Sequence, residues 1–239
     1  MNILQSHIKS YFKESEKLSK EELVSMIKRD FPEWSDNTIN SYLSRLKNEG
    51  NISSPARGIY ELQEVQIFQP NVSANLKKIY SRISKDYPYI KFCIWDTSWL
   101  NGFMIHQPFK NFTVIEVEKD ASESIFSFLN DYYKFVFLNP DSEIFDRYIN
   151  NLDHVIIIKN LVSEAPLMEI SKTTIPTLEK LLVDMLIDTE LFSAQQNELH
   201  FIIKTASEKF SLNKLKMKRY AVRRNRESKL DKLMNISLA

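Results

Sequence analysis

Three groups of residues in this chain have chemistry to offer. Carboxylates close two aliphatic segments. Asp96 follows Tyr89–Trp95, while Glu116 and Glu118, ahead of Lys119, end the segment that begins at Phe112. Acids and a lysine at adjacent strand ends can hold a magnesium ion and hydrolyse a phosphodiester. The usual spacing for that chemistry is an acid, one residue, then the lysine. Val117 stands where that acid belongs, and Glu116 lies three residues before Lys119, so the match is poor. The second group is Glu179, Lys180 and Asp184. On a helix, Lys180 and Asp184 can pair at i, i+4, a contact worth about 0.2–0.5 kcal/mol when exposed. Glu179 and Asp184 are five apart and do not share a tight face. A packed amphipathic helix and a functional surface both fit this pattern. The third group is Arg219, Arg223 and Arg226, spaced four and three apart along one helical face, with Arg224 beside them. Forked arginine donors suit carboxylate or phosphate partners. The cluster reads as an interface for nucleic-acid phosphates, for an acidic protein, or for the chain's own acidic middle.

His106, His154 and His200 are far apart and lack ligand spacing, so no metal site is expected. Trp95 and Trp99 read as core or groove lining. Gly50, Gly58 and Gly102 are the only glycines. A Walker loop or a dinucleotide fingerprint needs clustered glycines to bring backbone near phosphate, so both are excluded. Neither a nucleotide cofactor nor any other is expected. Cys93 is the single cysteine, which excludes an intrachain disulfide and suits a reducing interior. No apolar run follows a basic start, so no signal peptide is expected. The longest aliphatic run, Val155–Ile158, is far shorter than the ~20 residues a membrane helix needs. A cytoplasmic, non-membrane protein is the expectation.

A net charge of +1 hides an uneven spread. Residues 1–66 carry nine Lys/Arg and ten Asp/Glu, residues 67–203 twelve against eighteen, and residues 204–239 eleven against three. The positive charge sits at the C-terminal end.

The elements that must position these groups begin with Ser19–Leu62. Ser19 precedes Glu22 by three residues, the spacing of a capping box, and Leu23, Val24, Met26 and Ile27 follow as an apolar face. Pro32 disfavours helix at Phe31. Ser35–Thr38 starts a second helix, with Ile39, Tyr42, Leu43 and Leu46 at i, i+3, i+4 and i+7 and an expected end at Gly50. Asn51–Ser53 and Gly58–Leu62 read as two short strands with Ser54–Arg57 as their tip. A preceding helix carries Ile3, Leu4, Ile8 and Phe12. This is the order of a winged helix-turn-helix, a fold that binds nucleic acid and also serves as a structural or protein-docking module. The second helix shows Asn40, Ser41, Ser44, Arg45 and Asn48 on its polar side. Asn40, Ser41, Ser44 and Arg45 suit base edges or phosphates, and Arg57 at the tip suits the backbone or minor groove.

The expected fold is α/β (α+β): a winged helix-turn-helix over 1–66, then a mixed α/β domain over 70–239 with a basic, helical end. Gln69–Asn71 marks the boundary. Helices are expected over 75–86, 123–133 and 141–149. Strands are expected over 89–95, 112–117, 135–138 and 154–158. From Pro176, which suits a first helical turn, helix is expected almost to the end.

With "PTLEKLLVDML" at 176–186 and "RYAVRR" at 219–224 added to this layout, the chain resembles the AbiEi-like antitoxins of bacterial abortive-infection and phage-defence systems. The resemblance implies a type IV toxin–antitoxin role. The first domain would bind operator DNA and repress its own operon. The rest would counter a nucleotidyltransferase-like toxin without a durable complex. It implies no enzymatic activity, and leaves open whether the protein is a homodimer. A nearly neutral first domain departs from a strongly basic DNA-binding face. The competing reading is a metal-dependent nuclease or nucleotide-handling enzyme of a defence system, built on Asp96, Glu116 and Glu118.

Overall fold

A computed structural model describes residues 3–48, 51–62 and 67–237, and shows a mixed α/β protein with several small sheets. The chain divides into two units, residues 1–67 with 207–215, and residues 68–206 with 216–239. The helix end expected at Gly50, and the side chains of Ile3, Leu4 and Asn48, lie outside the described residues.

In the first unit, α1 (Ile3–Tyr11), β1 (Lys17–Ser19), α2 (Lys20–Asp30) and α3 (Asp36–Asn48) precede a hairpin of β2 (Ile52–Ala56) and β3 (Ile59–Leu62). The capping box forms as its spacing predicts: Glu22 N donates to Ser19 Oγ at 3.2 Å, and Ser19 N donates to Glu22 Oε2 at 2.8 Å. Those bonds hold the exposed Glu22 carboxyl below the usual carboxylate range. Helix α2 stops at Asp30, ahead of Phe31–Pro32. Thr38 N donates to Ser35 Oγ at 3.2 Å at the start of α3. Leu23, Ile27, Ile39, Leu43, Leu46, Ile8 and Phe12 are buried together. Tyr42 is half-buried and stacks on Trp34, which stacks on Phe31, with centroids 4.6 and 4.5 Å apart. The sheet is antiparallel in the order β1–β3–β2. Strand β1 was not apparent in the sequence. The hairpin tip also differs: β2 runs on to Ala56, and Arg57–Gly58 make the turn, with Gly58 at φ 77°. Only glycine takes that conformation without steric cost.

The second unit carries a four-stranded sheet in the order β4–β5–β7–β6. These strands are β4 (Phe92–Asp96), β5 (Thr113–Val117), β6 (Val136–Leu138) and β7 (Ile156–Asn160). Strand β4 is antiparallel to β5, while β5, β7 and β6 are parallel. Side chains alternate across a sheet. One face presents Phe92, Ile94, Ile115, Val117, Ile156 and Ile158 to a core shared with α4 (Ala74–Asp86) and α5 (Ser122–Asn130). Alternation turns Cys93, Trp95, Val114 and Glu116 to the other face. Helix α6 (Ser142–Arg147) lies between β6 and β7 in the chain.

The expectation of helix from Pro176 is corrected. Pro176 ends a strand, β9 (Thr173–Pro176), paired with β8 (Leu167–Ile170). Helix α7 (Leu178–Asp184) begins only after Thr177. The rest is broken into α8 (Leu199–Lys209), α9 (Lys214–Arg223) and α10 (Glu227–Ser237).

Candidate functional site

In the first unit, α3 buries Ile39, Leu43 and Leu46 at no more than 1 % exposure and turns Ser41, Ser44 and Arg45 outward. Asn40 is half-buried. Ser41 Oγ donates to the Asn37 carbonyl at 2.9 Å, a back-bond that leaves the hydroxyl oxygen able to accept. Arg57 is exposed at the hairpin turn. All five residues of the expected DNA-facing set thus belong to this unit, on α3 and on the β2–β3 turn.

The second unit holds a buried charge network. Lys180, at 0 % exposure, donates from Nζ to Glu116 Oε1 and Oε2 and to Asp184 Oδ2, each at 2.6 Å. Trp95 Nε1 donates to Glu116 Oε1 at 2.9 Å, and Tyr220 Oη donates to Asp184 Oδ1 at 2.9 Å. Arg224 Nε lies 3.5 Å from Asp184 Oδ1. The sheet supplies Glu116 and Trp95, α7 supplies Lys180 and Asp184 one turn apart, α9 supplies Tyr220, and Arg224 follows α9 directly. Burial opposes the charge on Lys180, but Asp184 and Glu116 outweigh it and hold the ammonium well above the ordinary lysine range. Burial lifts the Glu116 carboxyl above its usual range, with Lys180 pulling it down and Asp184 adding to the lift. Burial, then Asp184, raises the Tyr220 phenol. Burial, then Glu116, does the same to the neighbouring Cys93 thiol, which is thereby kept from acting as a thiolate.

A cavity of about 350 Å³ borders this network. Glu116, Asp184, Tyr220 and Arg224 form part of its wall, and Asn139, Lys159, Asn160, Asp188 and Glu190 bring polar groups to it. Lys159 pairs with Asp188. Among the described residues, no group of three or more His, Cys, Asp or Glu side chains is placed to hold a metal ion.

Several sequence-level readings change against this geometry. The Lys180–Asp184 pair does form, but it is buried rather than exposed. Glu179 is also buried, on the same short helix. Of the acids at the strand ends, only Glu116 enters the network. Asp96 accepts from Ser98 N at 3.0 Å to cap a 3₁₀ turn, and Glu118 accepts from Lys91 N at 3.3 Å. The arginines do not share one helical face, because Asn225 at φ 54° separates Arg223 from Arg226. Arg219 is exposed, Arg223 donates to Ser163 Oγ at 2.6 and 3.1 Å, and Arg226 donates to the Asn225 carbonyl at 3.0 Å. Only Arg224 reaches the network. In the sequence, Tyr220 is one aromatic inside a basic run, with no local sign of its bond to Asp184, 36 residues away.

A family model described as "Family of unknown function (DUF6577)" matches residues 38–239. The chain belongs to this family. In this DUF6577 protein the match begins two residues into α3 and takes in the hairpin, the sheet and every member of the charge network. A comparison with curated proteins found no match.

Proposed function

We propose that this protein is a DNA-binding regulator, controlling its own operon as the antitoxin of a phage-defence toxin–antitoxin pair. The carrying observation is the two-sidedness of α3. Its aliphatic side is sealed in a three-helix core, and Ser41, Ser44 and Arg45 stand on the open side. A hairpin with Arg57 at its turn completes the pattern of a winged helix-turn-helix. Such a helix enters the major groove, where hydroxyls, amides and guanidinium groups read base edges. The DNA partner is an operator near the protein's own promoter. The functional partner is a nucleotidyltransferase-like toxin, countered in the cytoplasm, and this part rests on the resemblance of residues 176–186 and 219–224.

A metal-dependent nuclease is the weaker reading. Glu116 and Asp184 already give their oxygens to Lys180, Trp95 and Tyr220, and the ammonium occupies the position between the two acids that a cation would need. Mobility shifts of the full chain on its promoter and on random duplex test the proposal. Tight binding of the promoter that weakens with salt supports it, whereas equal affinity for both duplexes refutes it. Cleavage of nucleic acid with magnesium, lost in Glu116→Ala, would put the nuclease reading first.

A further inference from the structure

The cavity beside the charge network has features that DNA reading by α3 does not use. It opens at the carboxyl ends of three parallel strands. Glu116 is the penultimate residue of β5, Lys159 and Asn160 finish β7, and Asn139 directly follows β6. Open α/β sheets bind their ligands in that position. Asn139 holds φ 43°, a left-handed conformation of the kind that gathers at ligand sites.

The donors lining this cavity are under-used. The Arg224 side chain is only 24 % exposed, and its Nε is shut off from solvent without a hydrogen-bond partner. Among the described residues its one ion-pair partner is Asp184, at 3.5 Å from Nε, although the group carries five donors. Among the described residues, Lys159 pairs with Asp188 alone, which leaves two ammonium donors to spare. Asn139 and Asn160 are exposed at the mouth of the cavity, where their side-chain amides can meet a ligand in place of water. Val114, Val162, Ile187 and Leu191 supply apolar wall between them. An arrangement with spare donors and an apolar wall calls for a ligand with an acceptor-rich anionic end and an uncharged body.

Charge limits that anion. Lys180 and Arg224 balance Glu116 and Asp184, and Lys159 balances Asp188. Glu190 leaves one negative charge at the rim. Repulsion from that charge grows with the charge of the anion, so it disfavours a polyphosphate more than a monophosphate. A volume of about 350 Å³ lies at the small end of the range for ligand pockets and suits a molecule no larger than a mononucleotide. We propose that this cavity binds a small organic monophosphate, its phosphate held by Arg224 and Lys159 and its polar body by Asn139 and Asn160.

The test is titration calorimetry on the full chain with ribose 5-phosphate, AMP, ATP, adenosine and inorganic phosphate. Saturable binding of ribose 5-phosphate or AMP is expected, with adenosine and ATP each weaker by about tenfold or more. Lys159→Gln, Arg224→Gln and Asn139→Gly should each weaken the monophosphate by about tenfold or more. Should Arg224→Gln fail to fold by circular dichroism, the other two variants decide. Arg45→Ala, which strikes α3, should leave monophosphate binding unchanged, so this test is separate from that of DNA recognition. The proposal is overturned if no monophosphate binds at millimolar concentration, if inorganic phosphate alone binds as well as the organic esters, or if Lys159→Gln and Asn139→Gly bind as wild type does.

Discussion

Lys180→Met tests whether the charge network is structural as the geometry requires. Methionine keeps most of the side-chain volume, so little cavity is created. What goes is the ammonium that makes three 2.6 Å contacts at 0 % exposure. Glu116 and Asp184 remain, 7 % exposed each, facing one another without a cation between them. Breaking a buried pair by removing one partner costs about 3–5 kcal/mol. For a folded unit of this size that corresponds to a fall in Tm of roughly 6–20 °C. The pH dependence gives a second readout. Burial raises the folded pKa of Glu116, so its protonation contributes stability below the ordinary carboxylate value, and that contribution is lost as pH rises through the folded value. Lys180 opposes the lift, so deleting it moves the folded value higher. The deficit of the variant should therefore be smaller near about pH 5 than near about pH 8. Adding Glu116→Gln to Lys180→Met should recover part of the loss. Thermal and urea melts measure all three proteins. A single variant melting within about 2 °C of wild type near pH 8 would refute the reasoning, because a buried pair cannot lose its cation at so small a cost.

Arg45→Ala should weaken operator binding by about 1–3 kcal/mol if it reads a base, or lower the salt slope by about one if it meets a phosphate. Mobility shifts across a salt series separate the two, and an unchanged affinity would remove α3 from the interface. Ser19→Ala removes the acceptor that caps α2 and should cost about 1 kcal/mol in urea unfolding. Tyr220→Phe takes one hydrogen-bond donor from buried Asp184 and should cost about 1–3 kcal/mol, read as a lower urea midpoint at unchanged slope. A midpoint equal to wild type would mean that Tyr220 is only packing.

What the sequence disclosed and what it hid follow from the range of the interactions concerned. Ser19, Phe31–Pro32 and the stripe Ile39–Leu43–Leu46 act within a turn or two of helix, and these elements were legible residue by residue. The hairpin of β8 and β9 was not. Its two turn residues, Ser171 and Lys172, both take positive φ, at 51° and 62°, as a type I′ turn requires. Glycine or asparagine normally marks such a turn, and neither stands there, so Pro176 read as a helix start. Spacing disclosed that Lys180 and Asp184 pair. It could not disclose that they are buried, because the decisive partner, Glu116, lies 64 residues away on a strand. The arginine run failed for a local reason: Asn225 took the left-handed conformation without a glycine to announce it.

The first unit is discontinuous, since residues 207–215 return to it after the whole sheet has been laid down. A ribosome therefore releases α3 long before its unit is covalently complete. Transplanting residues 1–67 onto another protein would leave part of that unit behind. A cut between residues 67 and 68 would therefore separate pieces of the chain that belong to one unit.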